Sequence, residues 1–217
     1  MYKAIYIKFC SLTICFIPFF SMMNAQPKTP STAGEYLLEG ISETASGFQL
    51  KNDSTFQFFF SYGALDRFGE GRWKKQNDSI VFESKPKPLH DFKLVNSAAG
   101  PGGRINITLK DMNPMLLQNV YCRIKGGGRE QEGMTDKEGF IQFSAQTVDT
   151  IEILFEFTPE KSSVFGIAEK NHRSFEFAPE PWLMEVFFHN FQLELTKNGL
   201  NGGHPLSDKT DFKYRKN

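Results

Sequence analysis

Apolar and polar residues alternate with a period of two through most of the chain beyond residue 33. In TFQFFFSY, at residues 55–62, the aromatic side chains that share one face of this pattern are Phe56, Phe58, Phe60 and Tyr62. A period of two is typical of β-strands, and no stretch shows a helical period of useful length. The sequence therefore predicts an all-β fold with little helix.

Two copies of Asn-Asp-Ser mark the expected tips of hairpins. KNDSTFQF at residues 51–58 and QNDSIVFE at residues 76–83 each place this triplet directly before an apolar alternation. Asn and Asp tolerate turn conformations and hydrogen-bond to their own backbone, so each triplet is expected to join two strands. GALDRFGEG, at residues 63–71, is expected to be a glycine-rich turn between two further strands of an antiparallel meander.

Short alternating segments continue to about Thr196: RINITL, NVYCRIK, TIEILFEF, SFEFAP, PWLMEVFF and FQLELT. The Gly/Pro-rich AAGPGG at residues 98–103 is the expected linker. We therefore predict a β-meander module at residues 34–97 and a β-sandwich module at residues 104–217, with the basic cluster at residues 209–216 as a frayed tail. Because each module is small for independent stability, a single shared core is the alternative.

Two of these segments indicate which side chains face a core. In VYCRI the shared face carries Val120, Cys122 and Ile124, and in TIEILFEF it carries Ile151, Ile153, Phe155 and Phe157. Beyond residue 25, Cys122 is the only cysteine, so no intramolecular disulfide is expected. We predict that its thiol is buried and structural rather than a nucleophile.

The first residues have the pattern of an export signal. Two lysines precede an uncharged apolar run that ends in MMNA, so residues 1–25 are predicted to be a secretory signal peptide cleaved after Ala25. An uncleaved membrane anchor is the alternative, although the apolar core is short for a span of about 20 residues and contains Pro18. Residues 26–33, rich in Pro, Thr and Ser, are expected to be a flexible leader. The expected location is secreted, periplasmic or associated with the cell envelope, with no membrane span after cleavage.

The distribution of charge argues against a nucleic-acid partner. The formal net charge is zero, and removing Lys3 and Lys8 with the signal peptide leaves the chain slightly acidic. Proteins that bind nucleic acid usually carry a basic excess or a basic stripe. We therefore expect no nucleic-acid binding.

Signatures of catalysis and metal binding are absent from the sequence. It contains no Gly-x-Ser-x-Gly, no His-Glu-x-x-His and no phosphate-binding loop. The histidines lack the spacing of metal ligands: His90, His172, His189 and His204. Met112 and Met115 have thioethers that suit Cu(I), but two methionines flanking a proline more often serve packing. No enzyme, no cofactor and no metal site are expected.

The aromatic row and the charges that follow it have two interpretations. The first is the wall of a core, because an exposed aromatic row promotes aggregation. The second is a ligand site lined by Phe59, Tyr62, Asp66, Arg67, Arg72 and Trp73. Its opposite charges would then hold a polar ligand, unless they form an ordinary solvated cluster. We expect the wall for most of the row.

The second half of the chain carries a turn motif. In GMTDKEGFIQF, the residues Thr135, Asp136, Gly139 and Phe140 form a Thr-Asp-x-x-Gly turn followed by an aromatic-led strand. With INITL and PMLLQNVYCRI before it, the part from residue 104 to about 196 resembles the carboxypeptidase-regulatory-like family. This resemblance implies a transthyretin-like β-sandwich of the kind found as a module in secreted bacterial proteins.

The first half matches a second pattern, Phe-x-x-x-x-x-Tyr-Gly-Ala-x-Asp followed by Gly-x-Trp. The matching residues are Phe56, Tyr62, Gly63, Ala64, Asp66, Gly71 and Trp73. Residues 34–97 are similar in this respect to secreted bacterial proteins that have no assigned activity. The similarity implies a compartment and a fold, and it implies no chemistry.

Taken with the export signal, these patterns predict a secreted, non-catalytic β protein of the cell envelope that binds another protein or a surface polymer. The first alternative is a lipocalin-like carrier of a small apolar or glycan ligand in the aromatic meander. The second alternative is an enzyme of unrecognised type.

Overall fold

Sixteen β-strands and one turn of 3₁₀ helix make up the part of the chain that the computed structural model describes, residues 31–100 and 103–217. The predicted all-β fold with little helix is confirmed. The predicted signal peptide and residues 26–30 of the expected leader lie outside the described residues. Among those described, no helix is long and apolar enough to cross a membrane.

In chain order, the strands are β1 Gly34–Leu38, β2 Thr44–Leu50, β3 Thr55–Tyr62, β4 Leu65–Gln76, β5 Ser79–Glu83, β6 Phe92–Ala99, β7 Arg104–Leu109, β8 Val120–Gly126, β9 Arg129–Met134, β10 Phe140–Ser144, β11 Thr150–Phe155, β12 Ser163–Gly166, β13 His172–Pro179, β14 Phe191–Leu195, β15 Gly199–His204 and β16 Ser207–Lys216. The 3₁₀ turn, Pro114–Leu116, lies between β7 and β8.

Eight strands form a closed barrel in the order β1-β16-β15-β14-β5-β4-β3-β2. Every neighbouring pair is antiparallel, and β1 closes the barrel by pairing with β16 on one side and β2 on the other. Short turns join consecutive strands except between β5 and β14. The barrel is therefore a simple meander interrupted once, by the long segment that carries β6 to β13.

That inserted segment folds into two four-stranded sheets, in the orders β10-β7-β13-β6 and β12-β11-β8-β9, which together form the sandwich. Strands β7 and β13 run parallel, and the other pairs are antiparallel. Both sheets contribute to one apolar core, in which Ile107, Cys122, Ile153 and Phe175 are fully buried. The predicted inward face of VYCRI is confirmed, since Val120, Cys122 and Ile124 all lie in this core.

The strand pairing divides the chain differently from the boundary expected at residues 98–103. Strand β6, expected in the meander module, pairs with β13 in the sandwich. Strands β14, β15 and β16, expected in the sandwich module, complete the barrel. The physical reason is that β1 and β5 would otherwise be unpaired edges, and closure removes both. The expected linker instead joins β6 to β7 within one sheet, and its residues 101–102 lie outside the described residues.

Both Asn-Asp-Ser triplets lie at hairpin tips, as predicted. The first joins β2 to β3 and the second joins β4 to β5. Ser54 and Asn77 have φ values of 65° and 55°, in the left-handed region that tight turns use. Asp53 accepts a hydrogen bond from the backbone of Thr55 at 2.9 Å, which satisfies the end of the turn.

Three local expectations are wrong. Residues 65–71 belong to strand β4 instead of a turn, and residues 209–216 belong to strand β16 instead of a frayed tail. PWLMEVFF forms turns, with only an isolated bridge between Glu185 and Phe68. These differences have long-range causes. Strand β16 pairs with β1 on one side and β15 on the other. Strand β5 pairs only with the end of β4, and residues 184–186 hydrogen-bond to Phe68 in the earlier part of β4.

Aromatic side chains fill the barrel, so the wall interpretation is confirmed for most of the row. Phe56 and Phe58 are buried, and Phe60 packs against the same core. Phe188, from the connection that leads into β14, places its ring 5.0 Å from that of Phe56 and 5.4 Å from that of Phe58. An eight-stranded barrel is just wide enough to be filled by side chains in this way. Tyr62 differs, because it lies exposed at the end of β3.

Candidate functional site

A cleft of about 650 Å³ lies where the barrel meets the sandwich. The barrel side consists of the turn between β3 and β4, and the sandwich side consists of the 3₁₀ turn and the end of β11. The walls are mainly apolar, and the side chains that form them include Tyr62, Leu65, Met115, Phe155, Phe157 and Met184. Two polar residues, Asp66 and Asn113, also reach the cleft.

A two-residue turn positions the barrel side of the cleft. Gly63 has a φ of 59°, a conformation that favours glycine. The turn brings Tyr62 and Leu65 into register as the last pair of the β3–β4 hairpin. As a result, the side chain of Leu65 forms part of the wall, while Tyr62 and Asp66 lie at the exposed rim.

The 3₁₀ turn positions the sandwich side. The side-chain oxygen of Asn113 accepts a hydrogen bond from the backbone N–H of Met115 at 3.0 Å and so caps this turn. Leu116 packs against the sandwich core, and Met115 is left at the rim of the cleft. Met112, in the same connection, is fully exposed and does not line the cleft.

The rim of the cleft is both apolar and accessible. Tyr62 is 54% exposed, Met115 49% and Phe157 40%. The predicted inward face of TIEILFEF holds for Ile151, Ile153 and Phe155, but Phe157 follows the end of β11 and turns to the rim. Contiguous exposed apolar surface of this kind is typical of interaction sites.

An ion pair between a buried arginine and an exposed glutamate fixes the geometry behind the cleft. Arg67, in β4, is 5% exposed and donates to both carboxylate oxygens of Glu160, at 2.8 and 3.4 Å. Its Nε also donates to the backbone oxygen of Met184 at 3.3 Å. These bonds join the barrel to two connections of the sandwich, and one of those residues, Met184, lines the cleft. Arg67 therefore positions the walls and does not line the cleft itself.

Two buried carboxyl groups, those of Asp91 and Glu185, lie near this ion pair. Asp91 is 4% exposed, and burial raises the pKa of its carboxyl group. Glu185 is also buried and accepts from the ammonium group of Lys85 at 2.9 Å. Within the described part of the chain, the buried side-chain oxygens without a hydrogen-bond partner are Asp91 Oδ1, Thr158 Oγ1 and Glu185 Oε1. The barrel–sandwich junction thus holds polar groups for which burial is unfavourable.

The other predicted site residues lie away from the cleft. Phe59 faces outward on the barrel, where its ring lies over Gly47. Arg72 is exposed on β4, opposite Glu83 of β5. Trp73 packs partly against the barrel core, and its indole N–H donates to the backbone oxygen of Lys51 at 3.0 Å.

Of the six predicted residues, the structure brings only Tyr62 and Asp66 into the cleft, with Arg67 directly behind it. Sequence reasoning missed the walls that Phe157 and Met184 supply. These residues are far from Tyr62 in the chain, and the only local signal was a thioether pair that included Met115. No pattern in the sequence places the end of β11 beside the β3–β4 turn.

Nothing in the described residues suggests metal or thiol chemistry at the cleft. No group of three or more His, Cys, Asp or Glu side chains in this part of the chain is arranged to hold a metal ion. Cys122 is buried in the sandwich core, and burial raises the pKa of its thiol to about 12. A thiol of this kind stays protonated near neutral pH and is a poor nucleophile.

Comparisons with protein-family models, curated proteins and solved structures found no match for the chain. The resemblances of residues 104–196 and residues 34–97 to two groups of secreted proteins therefore stay predictions.

Proposed function

We propose that the chain is an exported, non-catalytic binding protein whose cleft receives an apolar segment of a partner protein. The observation that carries this proposal is the exposed apolar rim formed by Tyr62, Met115 and Phe157 around a concave apolar cleft. Aromatic and thioether side chains adapt to varied apolar partners and are common at binding surfaces. The N-terminal export pattern supports a location in the cell envelope or outside the cell.

A protein partner suits the rim better than a small molecule does. A ligand held inside the cleft would leave the outward surfaces of Tyr62 and Phe157 in water. A protein segment can insert one apolar side chain and cover the rim with its neighbours, and such central anchors supply most of the binding energy in protein interfaces. The charged side chains behind the cleft, Arg67 and Lys85, are held in ion pairs with Glu160 and Glu185, and Asp66 is the charged residue among those that line it.

A small apolar ligand is the second candidate. Its support is the volume of the cleft, about 650 Å³, which lies within the range of about 300–1,000 Å³ found for ligand sites. The barrel interior is filled by side chains such as Phe56 and Phe188. A small ligand would therefore bind at the junction, and not inside the barrel as in a lipocalin-like carrier.

Panning a random peptide library against the purified protein tests the first candidate. We expect enrichment of peptides that carry aromatic or aliphatic anchors. The double variant Tyr62→Ser/Phe157→Ser should bind the enriched peptides at least about tenfold more weakly, because truncating aromatic side chains at the centre of an interface typically costs about 2 kcal/mol or more. The matched control is Phe59→Ser, which removes an exposed aromatic ring from the barrel wall outside the cleft.

Two results would count against a protein partner. One is the absence of enriched peptides, and the other is an equal loss of affinity in the Phe59→Ser control. Thermal unfolding with a panel of fatty acids separates the second candidate. A rise in Tm that the double variant abolishes, without any peptide binding, would favour the small apolar ligand.

A further inference from the structure

A basic groove follows strand β16 along the outer wall of the barrel. It consists of two cavities of about 780 and 330 Å³, which adjoin because both are lined by Glu39 and Lys213. The larger cavity lies under the turn between β14 and β15, and the smaller one lies beside the turn between β1 and β2. The groove exists because β16 pairs with β1 and β15. It was not predicted, because residues 209–216 were expected to be a frayed tail.

The groove is separate from the cleft. The barrel strands alternate in direction, so the turn between β14 and β15 lies at the same end as the β4–β5 hairpin tip. The β3–β4 turn, which lines the cleft, lies at the other end, away from the larger cavity. The turn between β1 and β2, beside the smaller cavity, lies at the same end as the cleft. The two surfaces share no lining residue.

Positive charge is concentrated along this groove. The cationic residues that line it are Lys197, Lys209, Lys213, Arg215 and Lys216. The acidic residues among its lining are Glu39 and Asp211, and Glu39 already pairs with Arg215 at 3.4 Å. The whole chain has a formal net charge of zero, so this excess is local. A concave surface with an excess of one sign of charge focuses the electric field and attracts ligands of the opposite sign.

The shape of the groove favours a linear ligand. The stretch from Lys209 to Arg215 is about 20 Å long at about 3.3 Å per residue. Because alternate residues of a strand share a face, Lys213 and Arg215 lie on the outer face of β16, opposite to the buried Tyr214. Lys209 lines the smaller cavity earlier in the same strand, together with Asp211. Anionic groups repeated along an extended polymer would meet these cations in turn.

Neutral hydrogen-bonding groups lie between the charges. Thr196, Asn198 and Asn201 line the larger cavity and offer hydroxyl and amide groups. The aromatic residues along the groove, Phe212 and Tyr214, pack into the barrel core. Base stacking, which single-stranded nucleic acid uses, therefore has no platform here. The cations of the groove can pair with the carboxylates of an acidic sugar polymer, and its amide and hydroxyl groups can hydrogen-bond to the sugar hydroxyls.

We propose that this groove binds an acidic linear polysaccharide, one whose sugar units carry carboxylates. The inference goes beyond the binding of a protein segment in the cleft and does not rest on it, since it uses different residues and a different class of ligand. A protein of the cell envelope with both surfaces would connect a protein partner to a surface polymer.

Titration of the purified protein with an oligogalacturonate of about ten units tests the proposal. Neutral dextran of similar length and inorganic polyphosphate are the comparison ligands. We expect oligogalacturonate to bind at low salt and to weaken as ionic strength rises, because exposed charges are screened. The variants Lys213→Gln/Arg215→Gln and Lys197→Gln should each weaken this binding, the first by at least about tenfold.

The matched control is Lys74→Gln/Lys75→Gln, which removes two exposed cations from β4 outside the groove. It should leave the affinity unchanged, and peptide binding in the cleft should be unchanged in all variants. Equal weakening in the control, equal binding of dextran, or no binding of oligogalacturonate at low salt would each overturn the proposal. Tighter, groove-dependent binding of polyphosphate would overturn the assignment to a carboxylated sugar.

Discussion

His204 shows how a polar side chain is accommodated among the aromatic residues of the barrel. Its Nδ1 accepts a hydrogen bond from the backbone N–H of Leu206 at 3.1 Å, and its Nε2 lies 3.0 Å from the hydroxyl oxygen of Ser46. The ring is packed among those of Phe58, Phe60, Phe212 and Tyr214. Both ring nitrogens are therefore satisfied by a neutral imidazole, and burial lowers the pKa of His204 to about 4.

This lowered pKa makes stability depend on pH. In the unfolded chain the imidazole takes up a proton near pH 6.5, whereas in the folded barrel it does so near pH 4. The contribution of neutral His204 to stability is fully present above pH 6.5 and is lost as the pH falls through about 4, because the unfolded state binds the extra proton. Urea unfolding across this window should show a loss of ~3 kcal/mol from this group.

The variant His204→Gln isolates this effect, because glutamine does not titrate. We expect the difference in unfolding free energy between wild type and variant to shrink as the pH is lowered from 7 to 4. His172→Gln is the control, since His172 lies outside the barrel and its ring nitrogen lies near the neutral hydroxyl of Ser97. A difference that stays constant with pH in the His204 variant would contradict a buried neutral histidine.

Strand β4 shows how glycine in a strand permits contact between distant parts of the chain. A Cβ atom on Gly69 would lie 2.6 Å from the backbone oxygen of Val186 and 2.7 Å from the ring of Phe188. A Cβ atom on Gly71 would lie 2.2 Å from the backbone oxygen of Glu83. Neither glycine has a positive φ. Their role is close approach, and the turn predicted for residues 63–71 is confined to the two residues between β3 and β4.

Replacing Gly69 with alanine should therefore destabilise the protein. The added methyl group must displace the backbone of Val186, and overpacking of this kind typically costs ~1–3 kcal/mol. Gly166→Ala is a suitable control, because a Cβ atom in that strand would meet nothing within 4 Å. Denaturant unfolding should show a change within about 0.5 kcal/mol for the control. Equal values for the two variants would show that residues 184–188 are not packed against β4.

For the whole molecule, the important feature is that the sandwich interrupts the barrel. The connection that leaves the sandwich hydrogen-bonds to β4, through Phe68 and Val186, before it enters β14. It also places Phe188 in the barrel core. The barrel core therefore depends on a segment that the sandwich positions, and the two parts should unfold together.

The variant Phe188→Ala tests this dependence. Truncating a buried phenylalanine leaves a cavity and typically costs ~3–5 kcal/mol. The neighbouring Phe187→Ala is the control, because Phe187 is only partly buried and its ring lies near Lys85 and Lys87. We expect a far smaller loss for the control, measured by urea unfolding.

Fluorescence can follow the two parts separately. Trp73 packs against the barrel core, and Trp182 donates to the backbone oxygen of His90 near the sandwich. In variants that retain only one tryptophan, the two transitions should coincide, and Phe188→Ala should shift both by the same amount. Separate transitions would contradict a shared unfolding unit.

The sequence alone determined the local features. The period-two alternation established the all-β class, and the Asn-Asp-Ser triplets established two hairpin tips. The same alternation indicated the inward faces of β3 and β8. These features depend on neighbouring residues, whose side chains point to opposite faces of a strand whatever the strand pairs with.

Only the tertiary structure decided which strands pair at long range. The meander at the start of the chain could not close without β14, β15 and β16, and the cleft exists because the β3–β4 turn meets Met115 and Phe157 of the sandwich. Tyr62 and Asp66 were predicted as site residues, but their partners were not. The alternation of apolar and polar residues shows which face of a strand points to the core, but it does not show which strands pair with its two edges. That pairing depends on which arrangement of the complete chain buries the apolar faces and leaves no edge unpaired.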